Sequence, residues 1–190
     1  MADKLPFLSD DHHYAIAAIA TRAAQLDATI EVSIAGLLVK CPRTAAFILK
    51  GMNGDKYVGL LEEMLSEMSD LAHADVVPRV FETIRKLRTD RNEILHWLHG
   101  ASEDPTKSSY ASLRPHREER RKSKTAKEMF DIAQGLLEMT MVVSALSILA
   151  LKLLPSPYKP DTQSPLPDSV YEEAIRRFRS GETLFPQPAT

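Results

Sequence analysis

A run of thirteen uncharged residues, Met139 to Leu151, limits the folds that this chain can adopt. Glu138 and Lys152 flank the run, and it continues a helical pattern that starts after Thr125 and ends before Pro155. A helix that is apolar nearly all round must be covered on most sides, either by other helices of its own chain or by a second subunit. The sequence therefore predicts a bundle of helices packed around this one.

Apolar residues at helical spacing and cap residues predict four further helices before it. The expected helices are Ser9 to Cys41, Thr44 to Met52, Asp55 to Met68, Asp75 to Gly100 and Thr125 to Leu154. In the last of these, Thr125 and Glu128 form a capping box, in which each side chain bonds to the backbone N–H of the other residue. The predicted fold class is all-α, a bundle of about five helices.

Residues 101–124 interrupt the helical pattern. The piece Ser108 to Leu113 is predicted to form one strand of a small hairpin. After it, Arg114 to Lys124 holds six Lys or Arg residues among eleven, which is typical of a solvated loop.

The chain is divided into a helical domain, 1–154, and a proline-rich arm, 155–190, which holds seven of the twelve prolines. Within the arm, Ser169 and Glu172 form a second predicted capping box, and Gly181 is expected to end the short helix that follows.

Composition excludes several classes of protein. A net charge of −2 leaves no overall positive charge to bind nucleic acid, so local basic patches would have to do so. The single cysteine, Cys41, allows neither an internal disulfide nor a cysteine-rich zinc site, which favours a cytoplasmic location. The start of the chain does not resemble a secretion signal. Thirteen uncharged residues span about 20 Å as a helix, so no membrane span is expected.

The segment Arg91 to His96, RNEILH, places a permanent cation, an amide and an imidazole close together near the end of the fourth predicted helix. At about 100° per residue, Asn92 and His96 share one face, one turn apart, and Arg91 lies about 140° from His96. A long guanidinium can bend across that angle towards an imidazole that titrates near neutral pH. The segment resembles the R-x(4 to 6)-H signature of the HEPN superfamily, and the resemblance covers roughly residues 10–154.

HEPN domains are all-helical, and many are metal-independent ribonucleases or toxin components whose active site is shared by two subunits. The resemblance therefore implies a homodimer that cleaves RNA without a metal or other cofactor. His96 would act as base or acid, Arg91 would hold the phosphate, and Asn92 would orient the imidazole or bind an oxygen of the substrate. The basic residues expected to track the RNA backbone are Arg88, Arg120, Arg121, Lys122 and Lys124.

Other interpretations remain open. His96 could cap helix carbonyls while Arg91 pairs with Glu93 or Asp90. His96 and His99 have the spacing of a metal pair, but no matching carboxylate or thiolate accompanies them. Some HEPN toxins carry a tyrosine, modified by the antitoxin, two positions after the histidine; Leu98 stands there, so that arrangement is not expected.

The alternative function is a non-catalytic helical dimer that binds RNA, a nucleotide or a protein partner such as an antitoxin. A third possibility is a scaffold that docks through the proline-rich arm.

Overall fold

The computed structural model describes residues 8–38, 50, 52, 54–68, 71, 73–96, 98–100, 102, 104, 106–111, 121–154 and 166–185. This part of the chain is an all-α helical bundle with one small antiparallel sheet, which confirms the predicted fold class. Its elements are α1 (Asp10–Leu37), α2 (Gly54–Glu67), a 3₁₀ helix (Ala74–Val76), α3 (Val77–His96), β1 (Leu98–Gly100), β2 (Lys107–Ala111), β3 (Arg121–Thr125), α4 (Ala126–Leu153) and α5 (Asp168–Ser180). Most of the helix predicted over Thr44 to Met52 lies outside the described residues.

Contacts divide the chain into two compact units. Unit 1 comprises residues 1–24 and 85–137, and unit 2 comprises residues 25–84 and 138–190. The short helix predicted in the proline-rich arm is α5, which belongs to unit 2 and buries Tyr171, Ala174 and Ile175. The predicted division into residues 1–154 and 155–190 stays a prediction.

The helix starts in unit 1 are capped as the sequence predicts. At the start of α1, the Ser9 hydroxyl accepts a hydrogen bond from the His12 backbone N–H at 3.4 Å. At the start of α4, the Thr125 N–H donates to a Glu128 carboxylate oxygen at 2.6 Å, and the Glu128 N–H donates to the Thr125 hydroxyl at 3.1 Å. This reciprocal pair confirms the predicted capping box.

A glycine lets α3 and α4 approach closely within unit 1. A Cβ atom added at Gly135 would lie 3.1 Å from the nearer methyl carbon of Leu87. The buried apolar residues of this unit are Leu8, Ala15, Ile19, Ala23, Ile94, Tyr110, Met129, Ile132, Ala133 and Leu136. The core of unit 1 is therefore formed by α1, α3 and α4 together with the sheet.

The sheet has the strand order β1-β2-β3, with both pairings antiparallel. Strand β2 confirms the strand predicted near Ser108. Strand β3 corrects the loop predicted over Arg114 to Lys124, because residues 121–125 pair with β2 instead of remaining solvated loop. Side chains alternate along a strand, so Ser108 and Tyr110 share one face, where both are fully buried.

Helix α3 ends earlier than the sequence predicts. It was expected to continue to Gly100, but its last residue is His96, and Leu98–Gly100 forms β1. Residues 98–100 pair with residues 109–111 of β2, so their backbone groups are bonded in the sheet and not in a helix. His96 consequently lies at the helix terminus itself.

Unit 2 holds the helical stripe predicted for α2, since Val58, Leu61 and Leu65 are all buried. The capping box predicted in α5 is wrong. This helix begins at Asp168, its cap position is Pro167, and Glu172 pairs with His73 instead of bonding back to the backbone of Ser169.

Gly181 ends α5 in the left-handed conformation, with φ 75°, as the sequence predicts.

Within the described part of the chain, α4 alone has the length and composition that would let a helix cross a membrane. Its 28 residues extend about 42 Å, so the helix is longer than the about 20 Å expected from the uncharged run alone. One such helix is weak evidence, because the central helix of a soluble bundle meets the same criteria. Two charged side chains in the unit 2 part of α4 have protein partners. Glu138 accepts a hydrogen bond from the Leu184 N–H, and Lys152 pairs with Asp168.

Candidate functional site

The second half of α3, from Arg85 to His96, carries the residues that the HEPN resemblance selects. Its buried anchor is Ile94, which is fully buried in the core of unit 1. Residues on the other side of the helix are therefore held at the surface of the unit, and Asn92 and His96 are both exposed.

Arg91 and Asn92 are joined by a hydrogen bond. The Arg91 guanidinium donates from Nη1 to the Asn92 amide oxygen at 2.8 Å. This bond holds the guanidinium on the side of the helix where Asn92 lies, one turn from His96. The structure thus brings together two of the three predicted catalytic residues.

The third predicted catalytic residue, His96, makes no hydrogen bond or ion pair with any other residue that the structure describes. Its imidazole is exposed at the C-terminal end of α3. Both ring nitrogens are thus available to a ligand or to solvent, although the structure does not join the ring to Arg91.

The histidine that caps a carbonyl of the last turn of α3 is His99, in β1. Its Nε2–H donates to the Ile94 carbonyl at 2.6 Å, and its Nδ1 accepts from the hydroxyl of Ser108 at 3.1 Å. The ring also packs against Tyr110, with the ring centres 5.8 Å apart. His99 therefore ties the end of α3 to β2, and both of its nitrogens are occupied.

His12 makes a similar link at the start of α1. Its Nδ1 lies 2.7 Å from the Ser9 hydroxyl, and its Nε2 lies 3.4 Å from the Lys124 carbonyl oxygen in β3. Both histidines thus bridge a helix end and the sheet, each with a serine hydroxyl on one ring nitrogen and a backbone carbonyl on the other. The sequence did not distinguish these two roles from that of His96.

The five predicted RNA-binding residues differ in the element that carries them and in their partners. Arg88 is half-buried on α3, and Arg120 lies outside the described residues. Strand β3 begins at Arg121. Lys122 donates to both carboxylate oxygens of Glu93 at 2.7 and 2.6 Å, and the Lys124 ammonium lies 3.8 Å from Asp90.

A buried phenol, Tyr110, lies in this region. Burial raises the pKa of Tyr110 above its ordinary range, and the negative charges of Glu93 and Asp90 raise it further. Tyr110 therefore stays protonated at neutral pH and cannot serve there as a base.

Among the described residues, no three His, Cys, Asp or Glu side chains are grouped so that they could hold a metal ion. The spacing of His96 and His99 does not produce a ligand pair, because His99 is in β1 with both nitrogens bonded within the protein.

Unit 2 contains a second polar cluster, which the sequence did not indicate. His73 pairs through Nε2 with Glu172, and its Nδ1 accepts from the Arg179 guanidinium at 3.1 Å. Arg179 also donates to Asp75 at 2.6 Å. Among the described non-glycine residues, His73 is the one with a positive φ, 74°.

The cluster around His73 fastens α5 to the turn before α3. Its partners are 99 to 106 residues apart in the chain, so no local spacing could have revealed them.

Comparisons of this chain with protein-family models, with curated proteins and with solved structures found no match.

Proposed function

We propose that the chain is a metal-independent endoribonuclease of the HEPN type that acts as a homodimer. His96 transfers a proton to or from the RNA, Arg91 binds the phosphate, and Asn92 positions Arg91 through its hydrogen bond. A toxin or phage-defence role, a cytoplasmic location and control by an antitoxin or other protein partner belong to the same proposal.

The observation that carries the proposal is the exposure of the His96 imidazole and its lack of hydrogen bonds to other described residues. An imidazole that exchanges a proton with the RNA must present a ring nitrogen to it. His12 and His99 do not meet this requirement, whereas His96 is exposed and makes no polar contact within the described residues. Arg91, held by Asn92, adds a positive charge on the neighbouring part of the same helix.

Cleavage of RNA through its 2′-hydroxyl requires groups of these kinds. A base removes the 2′-proton, the 2′-oxygen attacks phosphorus, and an acid protonates the departing 5′-oxygen, which leaves a 2′,3′-cyclic phosphate. A guanidinium stabilises the charge that develops on the phosphate oxygens. One His96 supplies one of the two proton-transfer groups, and a two-fold dimer supplies the second.

The test is cleavage of a single-stranded and a hairpin RNA in EDTA by the wild type, His96→Ala and Arg91→Ala. We expect the wild type to release fragments ending in a 2′,3′-cyclic phosphate, and each variant to lose at least about 100-fold in rate. Matched controls are His13→Ala and Arg176→Ala, which remove the same kinds of side chain elsewhere and should leave the rate unchanged.

The opposite results would favour the non-catalytic alternative. If the wild type leaves RNA intact, or if the His96 variant cuts as fast as the His13 variant, the enzyme proposal fails. RNA binding that survives in a protein without cleavage would support a helical dimer that binds RNA.

A further inference from the structure

Strand β3 presents two ammonium groups to α3. Lys122 pairs in register with Tyr110, and Lys124 pairs with Ser108, so all four side chains are on the helix-facing side of the sheet. The two lysines therefore meet the carboxylates of α3 and do not project from the opposite face.

The ion pair between Lys122 and Glu93 is accessible from one side. The Lys122 side chain is 45% exposed, whereas the Glu93 side chain is only 15% exposed. A dissolved anion can thus approach the ammonium group directly, while the carboxylate is shielded by the protein. The pair between Lys124 and Asp90 is longer, at 3.8 Å, and both of its side chains are 24% exposed.

Glu93 also places Lys122 beside the candidate site. Residues three apart on a helix are surface neighbours, so Glu93 lies next to His96 along α3. Lys122 comes from a strand 29 residues further along the chain than Glu93. The contact therefore adds a cation from the sheet to the helix surface that carries Arg91, Asn92 and His96.

We propose that Glu93 occupies at Lys122 the position that a phosphate of single-stranded RNA takes in the complex, an inference that rests on the proposed function. The carboxylate and the phosphate are alternative partners of one ammonium group, so binding exchanges one ion pair for another and forms no covalent bond. Asp90 competes in the same way, and more weakly, at Lys124.

The exchange has a measurable size. A partly exposed ion pair contributes little, so removing the competing charge should tighten RNA binding by about two- to fivefold. Because Lys122 contacts a phosphate in the complex, affinity should also depend more steeply on salt with Lys122 than in Lys122→Met. The expected difference is about 0.7 in the slope of log K against log salt for a single strand. The tightening must vanish when Lys122 is absent.

The experiment measures binding of a fluorescent 2′-O-methyl oligonucleotide, which cannot be cleaved through its 2′-oxygen, at several salt concentrations. The proteins are the wild type, Glu93→Gln, Lys122→Met and the double variant. Glu173→Gln is the control, because it raises the net charge by the same amount at an ion pair in unit 2. Asp90→Asn provides a second competitor variant should Glu93→Gln fail to fold.

We expect Glu93→Gln to bind two to five times more tightly than the wild type, Asp90→Asn to show a smaller gain, and Glu173→Gln to show none. In the Lys122→Met background the Glu93→Gln gain should disappear.

The proposal is overturned if Glu93→Gln binds no more tightly than Glu173→Gln, if its gain persists without Lys122, or if no variant binds at low salt. Cleavage of ordinary RNA in parallel separates the two proposals. If the wild type does not cleave RNA but Glu93→Gln binds more tightly only when Lys122 is present, the enzyme proposal fails and the ion-pair exchange stands. If the wild type cleaves RNA but Glu93→Gln binds no more tightly, the ion-pair exchange fails and the enzyme proposal stands.

Discussion

Replacing His99 with alanine tests whether this residue fixes the end of α3. The change removes the donor to the Ile94 carbonyl and the acceptor of the Ser108 hydroxyl, and Ser108 is fully buried. Each buried polar group left without a partner costs about 1–3 kcal/mol, and the lost ring contact with Tyr110 costs about 0.5–1.5 kcal/mol. Because His99 is only half-buried, water can replace part of these contacts, so we expect a total loss of about 2–4 kcal/mol.

The assay is equilibrium urea unfolding of the full chain, followed by circular dichroism at pH 7. His13→Ala is the matched control, because the His13 side chain makes one exposed hydrogen bond, to the Ser9 carbonyl at 3.0 Å, and its loss should cost less than about 0.5 kcal/mol. Ser108→Ala should cost about 1 kcal/mol less in the His99→Ala protein than in the wild type. Equal losses for the two histidine variants, or strict additivity of His99→Ala and Ser108→Ala, would refute this account of the helix end.

Three further predictions follow from particular contacts. Hydrogen bonds from the Thr125 N–H and hydroxyl lower the pKa of Glu128, so this carboxylate stabilises the fold above the ordinary glutamate value, about 4.3, and loses that effect as the pH falls through its lower folded value. Glu128→Ala should therefore lower Tm by about 1–3 °C at pH 7, and the difference should be lost near pH 2. Gly59→Ala should raise Tm by about 2–4 °C, since Gly59 is inside α2 and an added Cβ meets nothing within 4 Å. Gly181→Ala should lower Tm by a similar amount, because its φ of 75° is strained for alanine, and two shifts of the same sign would contradict this pair of predictions.

The helix starts of unit 1 show what local sequence can predict. Ser9 and Thr125 act as caps through bonds to residues three positions away, and those bonds form wherever the backbone turns into a helix. The predicted cap at Ser169 is also local, but α5 already begins at Asp168, so Ser169 lies inside the helix, and the carboxylate of Glu172 pairs with the distant His73.

The end of α3 and the surroundings of the candidate site could not be predicted in this way. The backbone of residues 98–100 could bond in a helix or in a sheet, and the presence of β2 selects the sheet. Likewise, the sequence indicated a basic segment at Lys122 but not that its ammonium group would pair with the half-buried side chain of Glu93.

The sequence by itself determined the all-α class, the two capped helix starts of unit 1 and the neighbouring positions of Arg91, Asn92 and His96 on one helix. These features depend on periodicity and on hydrogen bonds between residues a few positions apart. Only the tertiary structure decided which histidines are bonded within the protein, where α3 ends and which carboxylates meet the lysines of β3. Those outcomes depend on groups far apart in the chain, whose pairing energies act only after the helices and strands have packed together.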